Sequence, residues 1–157
     1  MKIREASIRD IDSVVKLITA MLQDMASYGG HVLKEGVELS LQLRAHFTDV
    51  SRKENHIFLL AVQQGTKDVP IGVVEASLVT PDEVFQPKSV LHIHSMYVKP
   101  SYREEGIGRR LLEAALEWGK WKGCTEAELN VLARNPARKL YEEAGFMVFE
   151  LEMQLEL

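Results

Sequence analysis

The feature that most constrains the fold is a strand that runs into a glycine turn and then into an amphipathic helix. Residues 90–98 read VLHIHSMYV, an apolar run of strand length, and residues 99–108 read KPSYREEGIG. Apolar residues then recur at three- and four-residue steps from Ile107 to Trp118, and Gly123 follows, which predicts a helix with one buried face. This order is typical of α/β folds, in which helices cover the faces of a sheet.

The rest of the chain contains further strands and helices. Residues 65–70 (GTKDVP) have a composition typical of a turn and lie between the apolar runs 56–64 and 71–79, so those runs are predicted to form a hairpin. Asn135-Pro136 is a strong helix start, Gly145 fits the end of that helix, and Tyr28-Gly29-Gly30 ends the first helix. The predicted strands lie around residue 3 and at 56–64, 71–79, 90–98 and 125–132, and the helical patterns cover 11–25, about 37–47, 107–118 and the residues after 135.

The end of the chain alternates between apolar and polar residues. Apart from Val148, polar residues separate the apolar ones, which predicts a last strand with one buried face and suggests that its edge pairs with a second copy in a homodimer. The predicted order is β-α-α-β-β-β-α-β-α-β, a sheet of mixed direction in an α/β fold. The apolar residues of this tail are Met147, Phe149, Leu151, Met153, Leu155 and Leu157.

Length, charge and cysteine content exclude several classes of protein. The 157 residues suffice for one domain with a sizeable core, and no shift in composition divides them, so we expect a single domain over 1–157. A net charge of −4 argues against nucleic acid as a partner, and no stretch has the length to span a bilayer. Cys124 is the single cysteine, which is compatible with a reducing cytoplasm.

The glycine turn predicts an anion site. Gly106 and Gly108 let the main chain approach a ligand, and the N–H groups at a helix N-terminus favour a negative group such as a pyrophosphate. Arg103, Arg109 and Arg110 add positive charge beside the turn. The alternative is a tight turn with no ligand. The sequence is neither a P-loop nor a dinucleotide fingerprint, because the residues that follow the glycines do not match either motif.

Two motifs resemble those of the GCN5-related N-acetyltransferases. YVKPSYREEGIGRRLLEAALEWG (97–119) is similar to the acyl-CoA-binding motif of that family, whose pattern is (Gln/Arg)-x-x-Gly-x-(Gly/Ala). NPARKLYEEAGF (135–146) is similar to the next motif, which stands about 30 residues further on. Residues 1–60 match only in element pattern. The resemblance implies a mixed, mostly antiparallel sheet with flanking helices, acetyl-CoA as co-substrate and no metal.

The resemblance also implies roles for single residues. Pantetheine would lie where strand 90–98 and the next strand splay apart, and the pyrophosphate would lie on residues 103–109. Asn135 would bond to the pantetheine arm, and Tyr141 would donate a proton to the departing thiolate. The residues implied to bind acetyl-CoA are Met96, Tyr97, Val98, Arg103, Glu104, Glu105, Gly106, Ile107, Gly108, Arg109, Asn135, Ala137 and Tyr141.

Acetyl transfer to an amine requires a group that accepts the amine's proton. An alkyl ammonium with a pKa near ~10.4 leaves only on the order of 10⁻³ of the amine neutral at pH 7. His92 and His94 are two apart on a strand, so they are expected on one face, which Met96 and Val98 continue towards the turn. Glu75 is the rival base, because a half-buried carboxyl can have a raised pKa and act through water. The sequence leaves the choice open.

The acceptor pocket is expected between the first two helices and in the loop before residue 89. Tyr28, His31, Glu83 and Phe85 supply aromatic and acidic groups there, which suit a cationic amine. HIHSMYV (92–98) is also similar to the HxHxxxV of the arylalkylamine branch of the family, whose histidines are linked to proton removal. The sequence thus predicts an acetyl-CoA-dependent N-acetyltransferase in which a small-molecule amine attacks directly in a ternary complex. A protein or peptide amine as acceptor, and a non-catalytic acyl-CoA-binding module, remain the alternatives.

Overall fold

Five strands form one sheet in the computed structural model, which describes residues 1–29, 38–80 and 89–155. In sheet order these are β1 (Lys2–Glu5), β2 (His56–Gln63), β3 (Val69–Val79), β4 (Val90–Val98) and β5 (Glu126–Leu129). The first three pairings are antiparallel, and β4 with β5 is parallel. The predicted mixed, mostly antiparallel α/β fold is confirmed. β5 is shorter than the predicted 125–132.

The described residues form four α-helices, of which the last follows β5: α1 (Ile11–Ser27), α2 (Leu39–Val50), α3 (Ile107–Trp121) and α4 (Ala137–Glu143). α2 continues three residues past its predicted end at Phe47. The glycines predicted to end α3 and α4 lie in the left-handed conformation just beyond them, at φ 89° for Gly123 and 98° for Gly145. A side chain would be strained there, which explains why glycine ends these helices.

The helices pack on both faces of the sheet because successive side chains of each strand point to opposite faces. On one face α1 and α2 enclose a cluster in which Phe47, Leu60 and Val73 are fully buried. On the other face α3 encloses a cluster that includes the fully buried Leu91 and Leu111. β4 therefore has an α1/α2 side and an α3 side.

β4 contains a bulge next to Glu75. In the β3–β4 pairing Glu75 lies opposite Ser95 and Ala76 lies opposite Ile93, which leaves His94 as an extra residue on β4. An extra residue bends the strand and shifts the side chains that follow it to the other face. The bulge thus places His94 at a kink in the middle of the sheet.

The bulge overturns the prediction that His92, His94, Met96 and Val98 share one face. The rings of His92 and His94 lie 4.6 Å apart, so these two are neighbours. Met96 and Val98 instead pack against the core cluster on the α3 side. The prediction is wrong because it assumed strict alternation along β4, and alternation fails across a bulge.

The alternating tail does not form the predicted strand. Residues 147–155 have no regular secondary structure, and Phe149 is 96% exposed. Alternation makes a segment suitable for a strand, but a strand also needs a hydrogen-bonding partner. The tail pairs with no strand in the described part of this single chain, and β5 remains an edge strand there.

Candidate active site

The turn before α3 has the backbone of an anion site. Glu104 and Gly106 have φ values of 68° and 75°, and α3 begins at Ile107. A Cβ at Gly106 would have no atom within 4 Å, so the space over the turn is open. The first N–H groups of a helix have no partner within the helix and attract negative groups. The geometry therefore suits a phosphate or pyrophosphate over the first turn of α3.

Arg103 ties this turn to α1 and β4. Its Nε donates to the main-chain oxygen of Val98 at 3.0 Å, and its Nη2 donates to Asp24 Oδ2 at 2.7 Å. Its guanidinium carbon lies 5.3 Å from the centre of the Tyr97 ring, a cation–π distance. Arg103 thus fixes the end of β4 relative to the turn, a role that the motif alone does not reveal.

Two other motif residues hold α3 against α4. Arg109 Nη2 donates to Glu143 Oε2 at 2.6 Å. A Cβ at Gly108 would lie 3.2 Å from Leu140 Cδ2, so the absence of a side chain allows close packing of the two helices. The structure therefore gives Gly108 a packing role within the motif.

Asn135 caps α4, as the sequence predicts. Its Oδ1 accepts the main-chain N–H of Ala137 at 2.9 Å, and its main-chain oxygen accepts the N–H of Arg138 at 3.0 Å. Such caps satisfy N–H groups that have no partner in the first turn. The side-chain amide nitrogen of Asn135 is not needed for the cap.

β4 continues beyond the end of β5. The parallel pairing reaches only Ile93 and Leu129. Met96, Tyr97 and Val98 lie past that point, and within the described residues no strand pairs with them on the β5 side. Main-chain groups at such an open edge can hydrogen-bond an extended, amide-containing ligand. The gap lies directly before the turn that leads into α3.

A buried carboxylate lies between two histidines on the α1/α2 side of the sheet. Glu75 is 5% exposed, and its Oε1 is 2.6 Å from His46 Nε2 and 3.0 Å from His56 Nε2. Burial by itself raises the pKa of the Glu75 carboxyl, but the hydrogen bonds from His56 and His46 and their charges outweigh it. The pKa is therefore below its usual range. The predicted raised pKa is wrong, because the sequence did not reveal the two imidazoles.

His94 lies beside this cluster and is exposed. Its ring stacks on that of His56, with centres 5.6 Å apart and planes 9° apart, and its Nε2 is 2.7 Å from Ser77 Oγ. Partial burial lowers the pKa of His94, Glu75 opposes that shift, and the histidines around it lower the pKa further. The net shift is downward, so the imidazole is neutral at pH 7. An exposed neutral imidazole near a carboxylate is suited to accept a proton.

His92 has different surroundings from His94. Its Nδ1 lies 3.0 Å from Glu128 Oε1 of β5, and its side chain is 22% exposed. It therefore links β4 to β5, whereas His94 contacts the Glu75 cluster through His56. The two histidines that the sequence treats as a pair are neighbours with different partners.

Tyr141 lies on the α3 side of the sheet. It is 8% exposed in the α3 core cluster, and its ring is 6.0 Å from that of Phe146. Burial raises the pKa of its phenol to about 12. The phenol is therefore protonated at all physiological pH values and remains a proton donor.

Sequence reasoning missed His46 and His56. His56 lies in register with Ser77, and its neighbour two residues on, Phe58, lies opposite Glu75. The predicted hairpin, with its register worked out, would have placed His56 beside the Glu75 face. His46 comes from α2, and no local pattern relates it to β3.

Of the predicted acceptor residues, only Tyr28 lies within the described residues. It forms the C-terminal cap of α1 and is partly buried. His31, Glu83 and Phe85 lie outside the described residues.

The Glu75 cluster also has the composition of a metal site. One ring nitrogen of His46, one of His56 and a carboxylate oxygen of Glu75 lie within 4.8 Å of one another, the one such group among the described residues. Two ligands at tetrahedral zinc, with bonds of ~2.0–2.1 Å, would be about 3.3 Å apart. The distances of 2.6 and 3.0 Å from Glu75 Oε1 to the two histidines are shorter and fit hydrogen bonds.

The sequence model of the Acetyltransferase (GNAT) family matches residues 16–146, well over half of the chain. The chain belongs to this family. It is therefore an N-acetyltransferase. The chain is 31% identical over 129 residues to a glucosamine 6-phosphate N-acetyltransferase of Trypanosoma brucei brucei, and the match covers 82% of this chain and 84% of that protein.

Two other relatives match this chain over shorter stretches. A thialysine N-epsilon-acetyltransferase of Bos taurus is 38% identical over 56 residues, which cover 35% of this chain and 33% of that protein. An aminoglycoside N(6')-acetyltransferase type 1 of Salmonella typhimurium is 31% identical over 58 residues, which cover 36% and 40%. The chain thus spans less than half the length of these two.

Solved structures share the fold of the acetyltransferase. A mutant of the BH1408 protein from Bacillus halodurans superposes with a TM-score of 0.84 at 23% identity, covering 100% of this chain and 99% of that one. The aminoglycoside acetyltransferase AAC(6')-Iy, solved with a CoA bisubstrate analogue, gives 0.77 at 20% identity, covering 99% and 97%. Within residues 1–29, 38–80 and 89–155, no helix has both the length and the apolar content of a membrane span.

Proposed function

We propose that the protein transfers the acetyl group of acetyl-CoA to a small primary amine, which attacks the thioester directly in a ternary complex. The observation that carries the proposal is the position of His94. It is exposed at the bulge of β4, near the Glu75 carboxylate, on the strand that leads into the glycine turn before α3. A proton acceptor and the co-substrate site thus lie on one strand.

His94 is the proposed general base. When its Nε2–H donates to Ser77 Oγ, the Nδ1 lone pair is free to accept a proton from the ammonium group, directly or through one water. The neutral amine then attacks the thioester carbonyl. The negative charge of Glu75 stabilises the imidazolium that forms, because it raises the pKa of His94.

Glu75, His56 and His46 are positioning residues in this proposal. Glu75 is buried and its low pKa makes it a weak base, so its contribution is the fixed negative charge. His56 orients that carboxylate and stacks on His94. His92, bonded to Glu128, positions β4 against β5. Among the candidate bases His92, His94 and Glu75, these contacts support His94 as the proposed one.

Acetyl-CoA is proposed to bind along the gap beyond β5 and over the turn. The main-chain groups of Met96, Tyr97 and Val98 would hold the pantetheine amides, as the open edge supports. The N–H groups between Arg103 and Arg109 would hold the pyrophosphate, with Glu104, Glu105, Gly106, Ile107 and Gly108 contributing backbone. The free amide nitrogen of Asn135 and the start of α4 at Ala137 would border the pantetheine arm.

Tyr141 is the proposed acid. Its phenol stays protonated because burial raises its pKa to about 12, so it can donate to a departing thiolate. It lies on the α3 side of the sheet, whereas His94 lies on the α1/α2 side. The acid and the base would therefore approach the thioester from opposite sides of the β4–β5 gap.

The acceptor class follows from the relatives. Their names give three small amine acceptors: glucosamine 6-phosphate, thialysine and aminoglycosides. An amino sugar is the first acceptor to try, because that relative matches over most of both chains. Tyr28, at the end of α1, is proposed to line the acceptor side. We further propose that residues 1–157 form a single domain in the cytoplasm. It would use no metal cofactor and bind neither membranes nor nucleic acid.

An acetylation assay with thiol release as its readout tests the proposal. The panel contains glucosamine 6-phosphate, an aminoglycoside, thialysine and a lysine peptide, and for each active amine the concentrations of amine and acetyl-CoA are both varied. We expect turnover with at least one of the small amines and initial rates that indicate a ternary complex. Turnover confined to the peptide would overturn the small-amine proposal, and ping-pong kinetics would overturn direct attack.

A pair of matched variants tests the base. His94→Gln should lower kcat by about 10²–10⁴-fold, the range for loss of general-base catalysis. His92→Gln, two residues away on the same strand, is the control and should have a much smaller effect. Equal losses in the two variants would contradict the assignment to His94.

A chelator tests whether the Glu75 cluster holds a metal. If the cluster is a hydrogen-bonded unit, we expect activity to survive the chelator and the purified protein to contain no bound metal.

A further inference from the structure

The last turn of α1 takes its positive charge from another part of the chain. α1 ends at Ser27, with Asp24 in its last turn and no basic residue there. The main-chain oxygens at a helix C-terminus have no partner within the helix, so they favour a nearby cation. Here the cation is Arg103 of the glycine turn, whose Nη2 donates to Asp24 Oδ2 at 2.7 Å. The end of α1 is therefore tied to the co-substrate turn, 79 residues further along the chain.

The guanidinium of Arg103 is held by several partners at once. Besides its bond to Asp24, its Nε donates to the Val98 oxygen at 3.0 Å, and its carbon lies 5.3 Å from the centre of the Tyr97 ring. Tyr97 is buried in the cluster that α1 and α2 enclose. The side chains of Arg103 and Asp24 are only 38% and 35% exposed. Several fixed partners leave the guanidinium little freedom, unlike that of an isolated surface pair.

Tyr28, the cap of α1, belongs to the same group of side chains. Burial lowers the pKa of Arg103, whereas the hydrogen bond and the charge of Asp24 raise it. The Tyr97 and Tyr28 phenols raise this pKa further, and the net shift is upward. Arg103 is therefore within electrostatic reach of Tyr28, the residue that we propose for the acceptor side.

The glycine turn is where a bound anion would act on this group. Glu104 has a φ of 68°, a left-handed conformation that costs conformational energy for a residue with a side chain. A pyrophosphate bound to the N–H groups of the turn would stabilise that backbone. Arg103 directly precedes Glu104, so a turn that is held in place also holds the start of the Arg103 side chain. Stabilising the turn therefore stabilises the Asp24–Arg103 pair.

We propose that the Asp24–Arg103 pair transmits the binding of acetyl-CoA to the C-terminal end of α1, and that Asp24 is a positioning residue. The inference rests on the proposed function, which lays the pyrophosphate over the same turn. With the co-substrate bound, the turn holds Arg103 and Arg103 holds Asp24. The last turn of α1, with Tyr28, then opens less often. Without the pair the turn still binds the pyrophosphate, but α1 does not respond.

The strength of the pair sets the size of the response. A partly exposed ion pair shifts an equilibrium by about 2–5-fold, so opening of the last turn of α1 should become rarer by about that factor when CoA binds. Loss of Asp24 leaves the charge of Arg103 without its carboxylate beside the pyrophosphate. The Kd of CoA should therefore not rise in Asp24→Ala.

Hydrogen exchange of the full chain, with and without saturating CoA, tests the proposal, and calorimetry gives the Kd of CoA. In the unchanged protein CoA should slow exchange at 104–109 and, by about 2–5-fold, at 24–28. In Asp24→Ala the slowing at 24–28 should disappear, while that at 104–109 remains. Asp12→Ala is the matched control, because Asp12 pairs with Arg44 of α2 at the other end of α1, and both slowings should remain. Alanine is a strong helix former, so both variants should keep α1.

Kinetics with an amine from the acetylation panel give a second readout. Asp24→Ala should raise the KM of the amine by about 2–5-fold and leave kcat unchanged, since a looser acceptor side weakens binding and not the chemical step. A loss confined to kcat would contradict this role.

The other results of the exchange experiment overturn the proposal. Slowing at 104–109 without slowing at 24–28 in the unchanged protein would mean that the pair transmits nothing. Slowing at 24–28 that survives Asp24→Ala would mean that another contact transmits it, and an equal loss in Asp12→Ala would mean that α1 is loosened as a whole. A higher Kd of CoA in Asp24→Ala would mean that Asp24 supports the turn itself. If the unchanged protein shows neither slowing nor binding heat with CoA, the proposed function fails as well.

Discussion

Gly119 lies where α3 closely approaches β4, and replacing it by alanine tests how tightly α3 packs against the sheet. A Cβ at Gly119 would lie 2.8 Å from Leu91 Cδ2 and 3.1 Å from Leu91 Cβ. Leu91 is 1% exposed, so it has no open space to move into. Alanine favours a helix over glycine by about 1 kcal/mol, whereas overpacking costs about 1–3 kcal/mol. Gly119→Ala should therefore lower the unfolding free energy by roughly 1 kcal/mol.

Urea denaturation of single and double variants measures this effect. Leu91→Ala alone should cost about 2–5 kcal/mol, because it leaves a cavity in the core. In that background the Leu91 Cδ atoms are gone, and the remaining 3.1 Å approach to the Cβ of residue 91 can relax into the vacated space. Gly119→Ala should then stabilise the protein by up to about 1 kcal/mol, so its effect changes sign between the two backgrounds.

Two results would refute this reasoning. Gly119→Ala that stabilises the otherwise unchanged protein would mean that α3 does not pack as closely as the Leu91 distances require. An equal loss in both backgrounds would mean that the clash is with another group. The m-value must stay constant, so that changes in midpoint report stability.

The remaining predictions concern charges and protons. Glu75→Gln removes the negative charge that raises the pKa of His94. The acidic limb of the kcat/KM profile should therefore move to lower pH. A shift to higher pH would contradict the role of Glu75. Tyr141→Phe should lower kcat by about 10²-fold or more with little change in the Kd of acetyl-CoA measured by calorimetry, and an unchanged kcat would remove it as the acid. Asp10 bonds Arg4 through both its oxygens, at 2.7 and 2.9 Å, and hydrogen bonds and the charge of Arg4 hold its pKa well below the usual range although burial opposes them. Asp10→Asn should therefore cost about 1.5–3 kcal/mol at pH 7, and this difference should shrink as the pH falls below the unfolded pKa near 4; a loss that does not depend on pH would mean that the charge is not responsible.

Much of the fold could be predicted from the sequence, because the local sequence signals agree with the final structure. The apolar stripe of α3 and the terminal glycines Gly123 and Gly145 depend only on residues close in sequence. The same holds for the cap at Asn135 and for the hairpin of β2 and β3. The family motifs around Gly106 and Tyr141 were readable for the same reason.

The site was only partly readable, because its groups come from separate parts of the chain. Glu75 was singled out as a carboxyl in an apolar strand, but its pKa was expected to rise. The pKa of Glu75 is instead lowered, because His46 from α2 and His56 from β2 hydrogen-bond its carboxylate. Two hydrogen bonds outweigh the effect of burial, and no pattern within β3 predicts them.

The sequence by itself determined most of the strands and helices, and the glycine turn before α3, because propensity, capping and turn chemistry act over a few residues. Only the tertiary structure decided that β4 bulges at His94, that Met96 turns away from the histidines, and that the alternating tail has no partner within the described chain. These features depend on register and on the free edges of the sheet. Register and pairing are set by contacts between distant segments, so they appear only when the whole sheet has formed.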